Sequence, residues 1–429
     1  MKGKLAIHGG PRTVPKGLKK RWPEITQVDK DAVMAVLDRN ILTGPVHGPE
    51  AEALEQEWAE FTGSQHALAF NNGTAAIHTA LFAAGVRPGD EVITSAFSFS
   101  GSFQPILHQH AIPIFVDIDP RTYNIDVSQI EAKITDRTKV LLPVHIHGLP
   151  ADMDEILALA GKYDLIVVED ACQAHGATYK GRMVGMIGDM GCFSMNATKN
   201  LSGGEGGFLI TDNEKYVERA KLLRTFGEKV GQEKEKFRPY YSYTIGWNYR
   251  LQEMPAAFTR SQLKRLPHYN AIAQRNGQYL SQELSKIEGL IPPYVPDDRT
   301  TVYHKYRLRF APDVLGLTMS AIEFRDRLLE ALQAEGVTVS LWHYTPLPSF
   351  PIFQNLDVGY DNGYPWRSPF YDKEIRYDPE EYPETIRLLD TSLVVNDEQY
   401  SIFIQDMELM EYYVAAFRKV FDNLNELLA

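Results

Sequence analysis

Between residues 65 and 211, short apolar runs alternate with helix-patterned segments, and this alternation constrains the fold more than any other feature of the chain. "ALAF" (67–70) leads into "GTAAIHTALFAAG". "EVITSA" (91–96) is followed by "GSFQPILHQHA", and then come "IPIFVDI" (112–118) and "KVLLPVHI" (139–146). The amphipathic "MDEILALAGKYD" precedes "LIVVED" (165–170). Strands that are apolar throughout have no solvent face, so they predict a mostly parallel sheet covered by helices on both sides. Ligands of such sheets collect at the carboxyl ends of the strands, so the chemistry is expected just after each strand.

The rest of the chain reads differently. Helical patterns dominate from 213 to 285, interrupted at 227–246 by a charged and then aromatic stretch expected to be an exposed excursion. Past "GLIPPYVPDD", the strand-like "YHKYRLRF" and the helix "SAIEFRDRLLEALQAEG" open a smaller α+β unit. The expected division is an N-terminal arm (1–22), a large domain (23–265) and a small C-terminal domain (266–429). An insert at about 355–385, rich in Pro, Tyr, Asp and Trp, is long for a connection. It is a lid or binding loop, or else a surface excursion.

A formal charge of -12 argues against a broad nucleic-acid-binding surface. No run reaches the apolar length of a membrane span, and the N-terminus lacks the apolar core of a signal peptide. Cys172 and Cys192 make neither a disulfide framework nor a zinc site, so no metal is expected and a reducing cytoplasm is the default.

Three strand ends carry residues with chemical potential. "NNGTAA" (71–76) opens a helix, where free N–H groups, the helix dipole and the Thr74 hydroxyl suit an anion at Gly73 and Thr74. The stretch by itself is also a plain helix start capped by Asn72 or Thr74. In "VVEDACQAHGA" (167–177), Asp170 ends a buried strand, where a carboxylate is costly unless paired. A protonated heterocyclic nitrogen would suit it, and so would a role as N-cap of the next helix. Gln173 adds a donor and an acceptor. In "FSMNATKNLSGGEGGFLIT" (193–211), Lys199 lies in the turn between two buried strands, five residues past Ser194. A lysine there is a solvated charge or, if desolvated, an amine of lowered pKa suited to Schiff-base chemistry. The lysine precedes the glycines, which is not the order of a phosphate-binding P-loop. Taken together, an amine, a carboxylate and a phosphate cradle at different strand ends of one sheet match pyridoxal 5'-phosphate (PLP). Phe99, in "SAFSFSGS", is placed to stack on its ring or to pack in the core.

These stretches, with "GVRPGDEVI", "PIFVDIDPRTYNID", "VHIHGLPADMDEI" and "GWNYRLQEMPAAFTRSQLKRL", resemble the DegT/DnrJ/EryC1/StrS aminotransferases over about residues 20–350. The resemblance implies PLP fold type I, the aspartate aminotransferase-like α/β architecture with a smaller C-terminal α+β domain. It implies Lys199 as the residue that bonds to the cofactor's aldehyde and Asp170 as the partner of the pyridine nitrogen. Gln173 would touch the ring hydroxyl, Phe99 would stack, and Ser194 with the Gly73–Thr74 backbone would hold the phosphate. Asn248 would reach the phosphate of the neighbouring subunit, which makes a homodimer with shared active sites.

The implied reaction moves an amino group from glutamate or glutamine to a keto sugar, sugar nucleotide or keto cyclitol, in amino-sugar or aminocyclitol biosynthesis. Arg250 is a candidate for the donor carboxylate or a structural ion pair. His343 and Tyr344, in "LWHYTPL", are candidates for the substrate side or for ordinary packing. Three features depart from the family pattern: "SAFSF" lacks the usual proline, His147 stands where an aromatic is usual, and the 355–385 insert is long. Two rivals share the fold. One is a sugar dehydratase, a branch with histidine at the lysine position, which Lys199 opposes. The other is a non-catalytic regulatory protein.

Overall fold

The computed structural model describes residues 3–44, 48–230, 240–359 and 361–428. Residues 231–239, the charged part of the 227–246 stretch, lie outside the described residues. The aromatic part that follows is exposed at Tyr240, Tyr241, Tyr243 and Ile245.

Seven strands form the main sheet: β1 (His66–Phe70), β2 (Glu91–Ser95), β3 (Ile112–Val116), β4 (Thr138–Leu142), β5 (Ile166–Asp170), β6 (Met190–Ser194) and β7 (Gly207–Thr211). Their spatial order is β1-β7-β6-β5-β4-β2-β3. The β2–β3, β2–β4, β4–β5 and β5–β6 pairings are parallel, whereas β7 runs antiparallel to both β1 and β6. All strands except β7 therefore point the same way, and six carboxyl ends share one edge. The fourth strand stops at Leu142, before Pro143, short of the 139–146 span expected from the sequence. Proline has no N–H for the ladder.

Side-chain alternation splits the sheet into two apolar faces. On one, Leu68, Phe70, Val140, Leu142 and Leu209 pack with Ala76, Ala80 and Leu81 of helix α3 (Gly73–Ala83). On the other, Ala67, Ala69, Leu141, Phe193 and Phe208 pack with Leu54 and Trp58 of α2 (Pro49–Thr62) and with Ile156 and Ala160 of α4 (Met153–Tyr163). The architecture is the mixed α/β one expected from the sequence, a mostly parallel sheet covered by helices on both faces.

A separate apolar cluster lies beyond helix α7 (Leu266–Leu284), with α5 (Glu214–Arg224) and α6 (Glu253–Leu263) preceding it. It joins Tyr269 and Leu280 to Leu308 and Phe310 of a three-stranded antiparallel sheet, β8 (Leu290–Ile291), β9 (Arg307–Phe310) and β10 (Ser392–Val394). Helices α8 (Ala321–Glu335) and α9 (Met407–Asp422) contribute Phe324, Leu328, Val414 and Phe417. Leu5, Val14 and Trp22, from the N-terminal 22 residues, are buried in this same cluster.

The 355–385 insert is packed down rather than extended. Trp366, Tyr371, Tyr377 and Tyr382 are buried with Phe103, Phe115 and Phe353 on the main sheet's first face. Tyr377 Oη donates to the Pro113 carbonyl at 2.9 Å and accepts from Trp366 Nε1 at 3.0 Å. Its aromatic-rich composition is that of a core patch over the β3 edge.

Candidate active site

At the carboxyl edge of the sheet, a cavity of about 540 Å³ is lined by Gly73, Thr74, Phe99, Asp170, Gln173, Ser194 and Lys199. These are seven of the residues singled out from the sequence, and four different strand ends deliver them. The volume falls in the range of small-molecule and cofactor sites.

Helix α3 begins where β1 stops. Asn72 is its N-cap, its side chain accepting from the Ala75 N–H at 2.7 Å. That bond leaves the N–H groups of Gly73 and Thr74, at the positive end of the helix dipole, to face the cavity wall. A Cβ on Gly73 would lie 2.7 Å from Ser194 Cβ and 3.1 Å from Cys172 Sγ, so only glycine lets the helix approach β6 this closely. The helix N-terminus and the hydroxyl-bearing Thr74 and Ser194 line one cavity, a combination that suits an anion such as a phosphate.

Asp170 is buried at the end of β5. Its Oδ2 accepts from Ser102 Oγ at 2.6 Å and its Oδ1 from the Cys172 N–H at 3.1 Å, while Ser98 and Ser102 share a hydroxyl contact of 2.7 Å. The carboxylate is held in one orientation and keeps lone pairs for a protonated ligand nitrogen. The sequence alternative of an N-cap is not its role, since its acceptors serve Ser102 and the immediately following turn.

Gln173 Oε1 accepts from the His147 N–H at 2.9 Å, which turns the amide NH₂ into the free, donating end of the side chain among the described residues. His147 has a positive φ of 57°. Its Nε2 accepts from Arg307 Nε at 3.0 Å, and because a guanidinium only donates, the ring proton sits on Nδ1. Burial, with Arg307 beside it, holds the His147 pKa well below the ordinary histidine range.

Lys199 stands on the turn between β6 and β7. Asn196 builds that turn: its Oδ1 accepts from the Thr198 N–H and hydroxyl, its carbonyl accepts from the Lys199 N–H at 2.9 Å, and its Nδ2 donates to Glu205 at 2.7 Å. Gly204 closes the turn with a φ of +78° that side-chain-bearing residues rarely adopt. Trp22 Nε1 donates to the Lys199 carbonyl at 3.1 Å. Burial lowers the Lys199 pKa, opposed by the nearby Cys172 and Asp170. A lysine in this state has a larger neutral fraction and is a better nucleophile.

Phe99 is 56% exposed and stands over the cavity, so it is not packed in the core. His343 lies beside it, with ring centroids 6.5 Å apart, though not on the cavity wall, and burial moves its pKa down to about 4. Tyr344 is exposed and away from the cavity. Asn248 and Arg250 also lie off this wall, hydrogen-bonded to each other at 3.1 Å.

The sequence did not single out the opposite wall. His304, Lys305 and Trp342 line it, with Glu398 at the rim. The signals were the strand-like "YHKYRLRF" run and, for Trp342, "LWHYTPL", in which only its neighbours His343 and Tyr344 were named. The strand begins at Arg307, and His304 and Lys305 precede it.

Residues 23–377 match the DegT/DnrJ/EryC1/StrS aminotransferase family. A pleiotropic regulatory protein of Geobacillus stearothermophilus is 36% identical over 338 residues, covering 78% of this chain and 85% of that protein. A putative L-glutamine:3-amino-2,3-dideoxy-scyllo-inosose aminotransferase of Streptoalloteichus tenebrarius is also 36% identical, covering 82% of this chain and 83% of its own. Among solved structures, an aminotransferase from Psychrobacter cryohalolentis superposes with a TM-score of 0.82 at 32% identity, over 95% of this chain and 100% of that one. DesV of S. venezuelae, solved in complex with a ketimine intermediate, superposes with a TM-score of 0.77 at 28% identity, over 92% and 94%. The match spans most of the chain and includes the strand ends that line the cavity, and the chain belongs to the DegT/DnrJ/EryC1/StrS aminotransferase family.

Proposed function

We propose that this chain is a PLP-dependent aminotransferase that moves an amino group from glutamate or glutamine to a keto sugar, a sugar nucleotide or a keto cyclitol. The observation that carries this reading is the convergence of Lys199 and Asp170, from two strand ends, on one cavity that also holds the N-terminus of α3 and Ser194. The residues fit the cofactor group by group. The N–H groups of Gly73 and Thr74, with the Thr74 and Ser194 hydroxyls, take the phosphate. Asp170 takes the ring nitrogen, the Gln173 NH₂ takes the ring hydroxyl, and Phe99 covers a ring face.

Bound there, PLP supplies an electron sink for the carbanion at the carbon that carries the amine. The protein's residues do the rest. Asp170, fixed by Ser102, keeps the ring nitrogen protonated. Lys199 would hold the cofactor through its aldehyde. Its side-chain amine, once released by the donor, would be the base that takes the proton from the donor's α-carbon. The same residues run the sequence in reverse on the keto acceptor. The Streptoalloteichus relative, named for L-glutamine and an inosose, supports a cyclitol as one candidate acceptor.

Asn248 and Arg250 are assigned to the active site of a second copy. They lie off their own cavity, and exposed Tyr241, Tyr243, Ile245 and Trp247 precede or adjoin them in sequence. Asn248 would reach the partner copy's phosphate and Arg250 a donor carboxylate, for which its planar fork is suited.

The test is spectroscopic. The purified protein should be yellow with bound PLP, lose the band on addition of glutamate or glutamine, and recover it with one of a panel of keto cyclitols, keto sugars and sugar nucleotides. A colourless protein, or a Lys199→Ala variant that still turns over, would sink the proposal.

A further inference from the structure

Lys305 has no part in the reaction as derived above, yet it lines the same cavity as Lys199. It is 8% exposed. Among the described residues its ammonium has no hydrogen bond and no carboxylate within ion-pair distance. Its contact is the Trp342 ring, 5.5 Å from the ring centroid. Behind it, the buried Arg307 guanidinium also meets no acid among the described residues. Its three nitrogens donate to His147 Nε2 at 3.0 Å, Ser392 Oγ at 2.7 Å and the Trp342 carbonyl at 2.8 Å, all neutral. The nearby acids act on it only from a distance: Glu398 is exposed and Asp397 half-buried, both favour the charged lysine, and neither comes within ion-pair reach, while Glu205 is exposed and bonded to Asn196. Buried charges are ordinarily paired, because taking an ammonium out of water without an anion is unfavourable. A wall with two buried cations and no buried acid, opening into a substrate-sized cavity, awaits an anion from the ligand.

The structure assigns to Lys305, we propose, the binding of a carboxylate on the substrate, at a distance from the carbon that reacts beside Lys199. This rests on the aminotransferase reading and deepens it by naming a substrate class. The phosphate cradle lies at Gly73, Thr74 and Ser194, so Lys305 remains for the substrate. The lowered pKa of Lys305, about 8, reflects its burial and the nearby Lys199, and a bound carboxylate would raise it again. A ligand carboxylate has two sources here, the side chain of a glutamate donor or an acidic keto acceptor. One lysine serves both because donor and acceptor occupy the cavity in turn.

The experiment uses the PLP-loaded enzyme and two variants, Lys305→Met and Lys305→Arg. Glutarate, a dicarboxylate without a reactive amine, is titrated calorimetrically and through the cofactor's visible band. The expected result is at least tenfold weaker glutarate binding in Lys305→Met and recovery to within about threefold of wild type in Lys305→Arg. Equal binding by wild type and Lys305→Met overturns the proposal. Single-turnover amine transfer then separates the sources. A loss in Lys305→Met with L-glutamate but not L-glutamine assigns the donor side chain. A loss with a keto uronic acid but not the neutral keto sugar assigns the acceptor. No loss in any arm overturns the proposal. Lys305-dependent glutarate binding in a wild type that takes an amine from neither donor would leave the carboxylate site standing and sink the transfer reaction alone.

Discussion

Ser102 Oγ donates to Asp170 Oδ2 at 2.6 Å, so the carboxylate that ends β5 is oriented by a serine that follows β2. A hydrogen bond to a charged group contributes about 1.5–3 kcal/mol. Ser102→Ala leaves Asp170 held only through Oδ1 by the Cys172 N–H, and Ser98 loses its hydroxyl partner as well. The expected outcome is a fall of roughly tenfold in the rate of amine transfer, with covalent cofactor binding at Lys199 retained. Rapid-mixing absorbance of the donor half-reaction checks it, and an unchanged rate would refute the positioning role.

Gly73 is constrained by the approach of α3 to β6. In Gly73→Ala the new methyl would sit 2.7 Å from Ser194 Cβ, and neither the helix N-terminus nor the strand end can yield without moving phosphate donors. The variant should fold and bind PLP at least tenfold more weakly. Fluorescence titration of the cofactor-free protein measures this. A companion Gly161→Ala, at a helical glycine with open space around it and, like Gly73, without a positive φ, gives the control for an added methyl that meets nothing.

Lys199 titrates below the usual lysine range because it is buried. The nucleophile is the neutral amine, so lowering the pKa enlarges the reactive fraction near neutral pH. The rate at which the cofactor-free protein bonds to added PLP should therefore reach its plateau at a lower pH than an ordinary lysine allows. Lys199→Arg should bind the cofactor without the visible band. A pH profile of binding rate in wild type tests the first statement, and a plateau no lower than that of a free lysine would contradict it.

Lys305 supplies a stability prediction of opposite sign to most core substitutions. Its folded pKa of about 8 lies below its unfolded value, so the folded protein binds fewer protons between pH 8 and 10.5. Stability accordingly rises with pH across that window, and the full penalty of the buried ammonium is present below it. Lys305→Met removes the penalty, which amounts to at most about 3 kcal/mol. The ligand-free variant should melt at or above the wild-type temperature at pH 7, with the difference shrinking as pH approaches 10.5. Thermal unfolding at several pH values decides it.

The aromatic insert predicts a purely structural phenotype. Tyr377→Phe leaves the Pro113 carbonyl and Trp366 Nε1 without their buried partner, at a cost of about 1–3 kcal/mol. Denaturant unfolding should show the loss, while half-reaction rates stay as in wild type. A changed rate with unchanged stability would mean the segment acts at the active site after all.

Much of this arrangement was legible in the sequence because it is local. Apolar runs named the sheet, and the residue just past each run named the wall that holds Gly73, Thr74, Asp170, Gln173, Ser194 and Lys199. Phe99 followed from the same rule. The opposite wall was not legible. His304, Lys305 and Trp342 reach the cavity only because the smaller unit docks there, and nothing local to "YHKYRLRF" marks the docking. The insert was ambiguous for a related reason: aromatic side chains suit a loop tip and a core patch equally, and only the partners Phe103, Phe115 and Phe353 decide between them. Asn248, Arg250 and Tyr344, also named from the sequence, lie off the cavity wall of this chain.

The burial of Leu5, Val14 and Trp22 among residues 269–427 bears on how the chain is made. During synthesis these three positions emerge long before the helices that cover them. At ~5–20 residues per second, some three hundred residues separate them from α8, an interval of tens of seconds. Through that time the sheet and its strand ends can assemble, but Trp22 has no Phe403 or Tyr269 packing around it to hold it against the Lys199 carbonyl. The reactive turn is therefore braced only after translation of the C-terminal helices, which makes competence to hold the cofactor a late event in the life of each newly made molecule.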